Sequence, residues 1–144
     1  MKTIKKQTIF TLSIFVAILV GCTNKNDDSL TTDSTNGTIT QGTWKIGYFN
    51  DSGSDETNKF NGYSFTFGSN GTISAINGSV TQTETWSTGN DDSQLKLYLT
   101  FSDVSPFNEI SDDWHVLEQT SSSIKLEDVS GGNGGTDYLN FSKI

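Results

Sequence analysis

Polar and apolar residues alternate most strictly over Gln94-Leu95-Lys96-Leu97-Tyr98-Leu99-Thr100-Phe101. The leucines and Phe101 share one face; Lys96, Tyr98 and Thr100 share the other. A period of two marks a strand buried on one side. Seven further segments predict strands: Trp44–Phe49, Tyr63–Phe67, Thr72–Ile76, Val80–Thr88, Trp114–Gln119, Ser123–Val129 and Tyr138–Lys143. They are rich in Thr, aromatic and β-branched residues, which suit a pleated, half-buried surface. Turn chemistry separates them. Ser69-Asn70-Gly71 and Asn77-Gly78 fall between neighbouring strands, and Asn-Gly favours a tight hairpin because both central positions need positive φ. Gly89–Asp92 and Gly131–Gly135 predict two more turns. Ser105–Asp113 holds the only Pro and lacks alternation, so it reads as a loop or one short helical turn. No amphipathic helix of useful length stands out. Eight strands, mostly in adjacent hairpins, predict an all-β, antiparallel, up-and-down fold. Closure into a small barrel would remove the exposed edges. A β-sandwich is the alternative, and it would bury the same alternate residues.

The hydropathy pattern is different before these strands. Lys2, Lys5 and Lys6 precede an apolar run of 12 residues, Ile9–Val20. A membrane-crossing helix needs about 20 apolar residues, whereas the h-region of a signal peptide has about 7–15. The run ends in Leu19-Val20-Gly21-Cys22, which resembles the lipobox of bacterial lipoproteins. That resemblance implies cleavage between Gly21 and Cys22, a diacylglyceryl group on the Cys22 thiol and acylation of the new amine. Residues 1–21 are then a signal peptide. Two or more acyl chains give stable anchoring, at about 0.8 kcal/mol per buried CH₂. Cys22 is the only Cys, so no disulfide framework supports the fold.

Residues 22–41 comprise this Cys and a polar segment rich in Thr, Asn and Asp. Such a composition buries too little apolar surface to offset its ordering entropy, and it reads as a flexible tether to a domain at 42–144. Thr23 follows the Cys, where an Asp would mark inner-membrane retention in enteric lipoproteins. Asn24-Lys25-Asn26-Asp27-Asp28 resembles the Lys-plus-acidic signals that carry some lipoproteins to the cell surface. The same residues read equally well as a solvated spacer, so the expected location is the cell envelope, lipid-anchored at the outer membrane, with the surface-facing and periplasm-facing leaflets both open.

Charge narrows the partners. With the three signal lysines removed, six basic residues stand against 17 acidic ones, a net charge of −11, and there is no Arg. Nucleic acid, which needs a basic patch, is excluded as an expected partner. Adsorption on anionic headgroups is disfavoured for the same reason, so the membrane is a partner through the acyl chains alone.

Gly42-Thr43-Trp44-Lys45 opens the first strand. Behind it come Tyr63-Ser64-Phe65-Thr66-Phe67, Asn70-Gly71-Thr72, Glu84-Thr85-Trp86, the Leu-rich strand, Ile124-Lys125-Leu126 and Tyr138–Lys143. The Gly-x-Trp start and this order resemble the small lipocalin-like domains of bacterial lipoproteins, over about residues 41–144. The resemblance implies an eight-stranded barrel whose closed end is plugged by Trp44, with a basic residue of the last strand packed across it. Lys143 takes that position here. The implied ligand site is the barrel interior, with Trp44, Tyr48, Tyr63, Phe65, Trp86, Leu97 and Trp114 as candidate lining and a small hydrophobic ligand. A barrel of this size either holds one small ligand or is filled by its own side chains.

Catalytic machinery is not expected. His115 is the only His and reads as a surface imidazole, and no Gly-x-Ser-x-Gly elbow is present. Zinc needs several His or Cys ligands. Asp91-Asp92 and Asp112-Asp113 are carboxylate pairs of the kind glycosidases use, but they fall in loops or at strand ends. The stretch Asn50–Glu56 has Gly62 where a calcium loop starting at Asp51 would need its twelfth-position Glu. Neither a metal nor another cofactor is expected. Two functions follow: a membrane-anchored barrel that binds a small hydrophobic ligand inside, or a filled barrel that binds polysaccharide or protein through exposed strands and loops.

Overall fold

The computed structural model describes residues 29–129 and 135–144. Within them the chain forms one helix, α1 (Thr32–Ile39), and nine strands: β1 (Trp44–Asp51), β2 (Ser54–Asp55), β3 (Ser64–Phe67), β4 (Thr72–Asn77), β5 (Val80–Asp91), β6 (Gln94–Thr100), β7 (Asp113–Gln119), β8 (Ser123–Val129) and β9 (Thr136–Lys143). Every pairing is antiparallel, and β1 pairs with β9 as well as β3. β1 and β3–β9 therefore close into an eight-stranded up-and-down barrel, not a sandwich. The short β2 folds back onto the end of β1 through Ser52 and Gly53, both at positive φ. That hairpin occupies the stretch compared with a calcium loop. The Asn50 and Asp55 carboxamide and carboxylate oxygens there accept from the amides of Gly53 and Thr57.

Side chains alternate as the period-two pattern requires, and the inward set forms one apolar core. It includes Ile46, Phe65, Phe67, Ile73, Leu95, Leu97, Leu99, Val116, Ile124, Leu126, Leu139 and Phe141. Both ends of this core are covered. At one end sits α1, with Ile39 fully buried. At the other, two single 3-10 turns, Thr57–Phe60 and Phe107–Ile110, turn Phe60, Phe107 and Ile110 inward. Each of the three tryptophans ties the barrel wall to a loop or cap. The indole N–H of Trp44 donates to Ile39 O at 2.8 Å, that of Trp114 to Ile110 O at 3.0 Å, and that of Trp86 to Gly68 O at 3.0 Å. A buried indole needs such a partner, and here the partner is always the backbone of a segment that would otherwise be loosely held.

Three expectations are corrected. First, the folded domain begins before residue 42: part of the expected tether is α1. The Ser34 amide donates to Thr31 Oγ1 at 3.1 Å and the Thr31 amide to Ser34 Oγ at 3.0 Å. This reciprocal cap satisfies N-terminal amides of the helix, and Thr35 and Ile39, one turn apart, supply its buried stripe. Second, Tyr48 is not in the interior. A bulge between Ile46 and Tyr48 reverses the alternation, so Phe49 points inward and Tyr48 outward. Gly47 at this bulge faces Ser142 so closely that a Cβ would lie 2.7 Å from its Oγ. Third, Gly89 is not in a turn. β5 runs on to Asp91, and the turn is Asp92-Ser93, both at positive φ. Gly89 instead makes room for the ring of Tyr98, whose Cε2 would be 3.1 Å from an added Cβ.

The signal peptide, Cys22 and most of the Gly131–Gly135 run lie outside the described residues. Among the described residues no helix is long and apolar enough to cross a membrane.

The packing of α1 leaves two polar atoms, Thr35 Oγ1 and Gln119 Oε1, buried without a hydrogen-bond partner. An orphaned buried hydroxyl costs about 1–3 kcal/mol. Thr35→Val keeps the shape and removes that hydroxyl. It should stabilise the protein by about 1 kcal/mol, read from the urea midpoint at constant m-value; a loss of stability would mean that the hydroxyl is partnered.

Candidate functional site

Of the interior positions named from the sequence, all but Tyr48 belong to the core or pack against it, and Trp44, Phe65, Leu97 and Trp114 are out of reach of solvent. Trp44, Phe65 and Leu97 are 0 % exposed, Trp114 1 % and Trp86 7 %. Essentially no water-sized space, external or enclosed, touches the first three. The rings of Phe65 and Trp86 meet other rings. Phe65 packs edge-on against Phe141 at 5.5 Å, and Phe67 against both Phe141 and Trp86 at 5.4 and 5.5 Å. At the mouth, Phe107 stacks on Phe101 at 5.1 Å and meets Tyr63 at 5.2 Å and Phe60 at 6.1 Å edge-on. Tyr63 is half-buried as part of this plug. At the opposite end, Lys143 Nζ stands 4.9 Å from the centre of the Trp44 ring. The contact contributes roughly 0.5–1 kcal/mol where the ammonium remains hydrated.

The outer wall carries the polar and aromatic groups. His115 lies on its outward face, with Nδ1 3.2 Å from Glu127 Oε1. Lys125 and Glu118 pair across β8 and β7 at 2.8 Å, and Lys96 approaches Asp113 at 3.8 Å. Tyr48 and Tyr138 are 37 % and 39 % exposed. They stand on β1 and β9 in diagonal register, Tyr48 opposite Asn140 and Tyr138 opposite Asn50.

Carboxylates of Asp112, Asp113 and Asp128 come within 4.8 Å of one another. Oxygen ligands of this kind suit a hard cation. Desolvation, followed by the neighbouring Asp128 and Asp113 charges, raises the Asp112 carboxyl from its ordinary value. The cluster brings one carboxylate pair noted in the sequence into contact with a third residue that the sequence did not single out.

A cleft of 460 Å³ opens on the outside of the barrel, where α1 faces β5 and the β3–β4 turn. Asn36, Gly37 and Thr40 form one bank; Ser69 and Gly71 form the second; Trp86, Ser87 and Thr88 form the third side. Thr88 Oγ1 donates to Asn36 Oδ1 at 2.8 Å and fixes helix to wall. Gln119 Nε2 holds the helix from another side, donating to Ser34 O and Thr38 Oγ1 at 3.0 and 2.8 Å. None of these groups except Trp86 was a candidate from sequence. They come from three segments distant along the chain, and no motif joins them.

No protein-family model matches this sequence, and no curated protein matches it. Among solved structures, the crystal structure of a DUF4847 family protein from Bacteroides vulgatus is similar, with 16% sequence identity and a TM-score of 0.49, over 76% of this chain and 97% of that one.

Proposed function

We propose that this protein is an exported, lipid-anchored interaction module that works through the outside of its barrel and performs no catalysis. One observation carries the choice: Phe65 and Leu97, on the inner wall of the expected ligand site, and Trp44, at its closed end, are fully buried against other side chains. An interior ligand would have to displace the Phe60–Phe107 plug and part of the core. Interiors are close-packed and give way at a cost of kilocalories. The outer wall, by contrast, presents exposed tyrosines, charged pairs and a cleft. Polysaccharide or protein at the cell surface is the partner class for such a surface. The signal-like residues 1–21 and Cys22 support tethering there, because two acyl chains hold a protein whose own charge would repel it from anionic lipid.

Two measurements test this reading. Metabolic labelling with radioactive palmitate should mark the wild type and leave Cys22→Ala unlabelled; equal labelling would refute the anchor. Native mass spectrometry of the detergent-purified full chain should show no stoichiometric apolar molecule, while a glycan array gives retention. A co-purifying lipid in the barrel would reverse the reading.

A further inference from the structure

We infer that the cleft between α1, the β3–β4 turn and β5 is a binding site for a neutral, hydroxyl-rich ligand, a saccharide unit. This rests on the surface-module reading and gives it a place and a ligand chemistry. At 460 Å³ the cleft falls in the range of small-ligand sites, about 300–1,000 Å³.

Its chemistry is selective. No residue lining it is ionisable, in a chain with 18% charged residues. A charged ligand would find no counter-ion there. The polar groups are hydroxyls and a carboxamide, each able to donate and accept. The Ser69 and Ser87 hydroxyls make no hydrogen bond with other described residues, so both are available to a ligand at no loss to the fold. Trp86 borders the cleft with the 7 % of its surface that remains exposed. Its indole is held by Gly68 O, and the facing helix is held by the Thr88–Asn36 bond. The site is thus pre-organised, which lowers the ordering cost of binding.

Gly37 adds a separate argument. It sits inside a capped helix of eight residues, where glycine is among the worst helix formers. Nothing lies within 4 Å of the Cβ it lacks, so close packing does not demand it. Its effect is to leave the cleft open, at a cost to local helix stability. A local rule broken without a packing reason is characteristic of a functional position.

The test uses the ¹⁵N-labelled full chain in detergent micelles. Glucose, galactose, mannose and N-acetylglucosamine are titrated at millimolar concentration, with glucuronate as the charged control. Amide shifts should centre on Gly37, Ser69 and Ser87, for neutral sugars and not glucuronate. Gly37→Trp grows into open space. It should weaken binding by about tenfold or more while the thermal midpoint holds or rises. Ser69→Ala with Ser87→Ala should weaken binding without moving the midpoint. Shifts confined to Tyr48 and Tyr138 would overturn this site and leave the surface-module reading standing. Preference for glucuronate would overturn the ligand class. Silence with every sugar, with an apolar molecule found in the barrel, would remove both.

Discussion

Trp44→Ala is expected to destabilise the protein by about 3–5 kcal/mol, the usual range for deleting a buried Trp side chain. Three losses coincide at this position. The ring is fully buried at the end of the barrel core. Its N–H is the partner of Ile39 O, at the last helical residue of α1, and an orphaned carbonyl there adds about 1–3 kcal/mol if water cannot reach it. Lys143 loses the ring face beneath its ammonium. Single domains are stable by about 5–15 kcal/mol in total, so the variant would stand near the edge of folding at 25 °C. Urea unfolding followed by far-UV circular dichroism measures the loss. Amide exchange should show a further effect specific to this residue: α1, held through Ile39, should exchange faster than the β6–β7 hairpin. Trp44→Phe keeps most of the buried area and loses only the N–H, so it should cost distinctly less. A Trp44→Ala variant within 1 kcal/mol of wild type would show that the ring does not hold helix and barrel together.

The position of Trp44 also shows what the sequence could and could not reveal. The strands were legible because a half-buried strand writes its burial into every second residue. The β6 leucines are the clearest case, and all of them face the core. The alternation alone does not choose between a closed barrel and a sandwich; the lipocalin-like resemblance implies the barrel, and β1 does meet β9. What escaped was set by single residues working against the local pattern. α1 looked like tether because its polar composition hides one cap and one buried pair, Thr35 and Ile39. The β1 bulge moved Tyr48 to the outside, and a bulge leaves no trace in periodicity beyond a glycine at Gly47. Gly89 looked like a turn because a glycine under a cross-strand aromatic and a glycine at positive φ are the same letter. The cleft was illegible for a different reason. It is assembled from residues 36–40, 69–71 and 86–88, which tertiary structure alone brings together. Gly37 was its one local signal, and it means something only once the residues around it are known to be helical.

Phe107→Ala should convert the filled barrel into one that takes up small apolar molecules, at a cost of about 3–5 kcal/mol. Phe107 is 2 % exposed and is the hub of the mouth cluster, in ring contact with Phe60, Tyr63, Phe65 and Phe101. It stands on a single 3-10 turn with no side-chain cap, so its removal trims the plug and leaves the strands in place. The space left is lined by aromatic carbon. An apolar cavity of that kind stays dry and accepts molecules the size of benzene. A ligand that binds only the folded state raises stability in proportion to the logarithm of its concentration. Benzene should therefore raise the thermal midpoint of Phe107→Ala and leave the wild type unmoved. The contrast decides between the two functions that the sequence left open. If the wild type responds to benzene as the variant does, its barrel opens of its own accord, and the interior becomes the better candidate for the natural ligand. If only the variant responds, one phenylalanine on the turn between β6 and β7 separates a carrier from a scaffold, and binding by the native protein belongs to its outer surface.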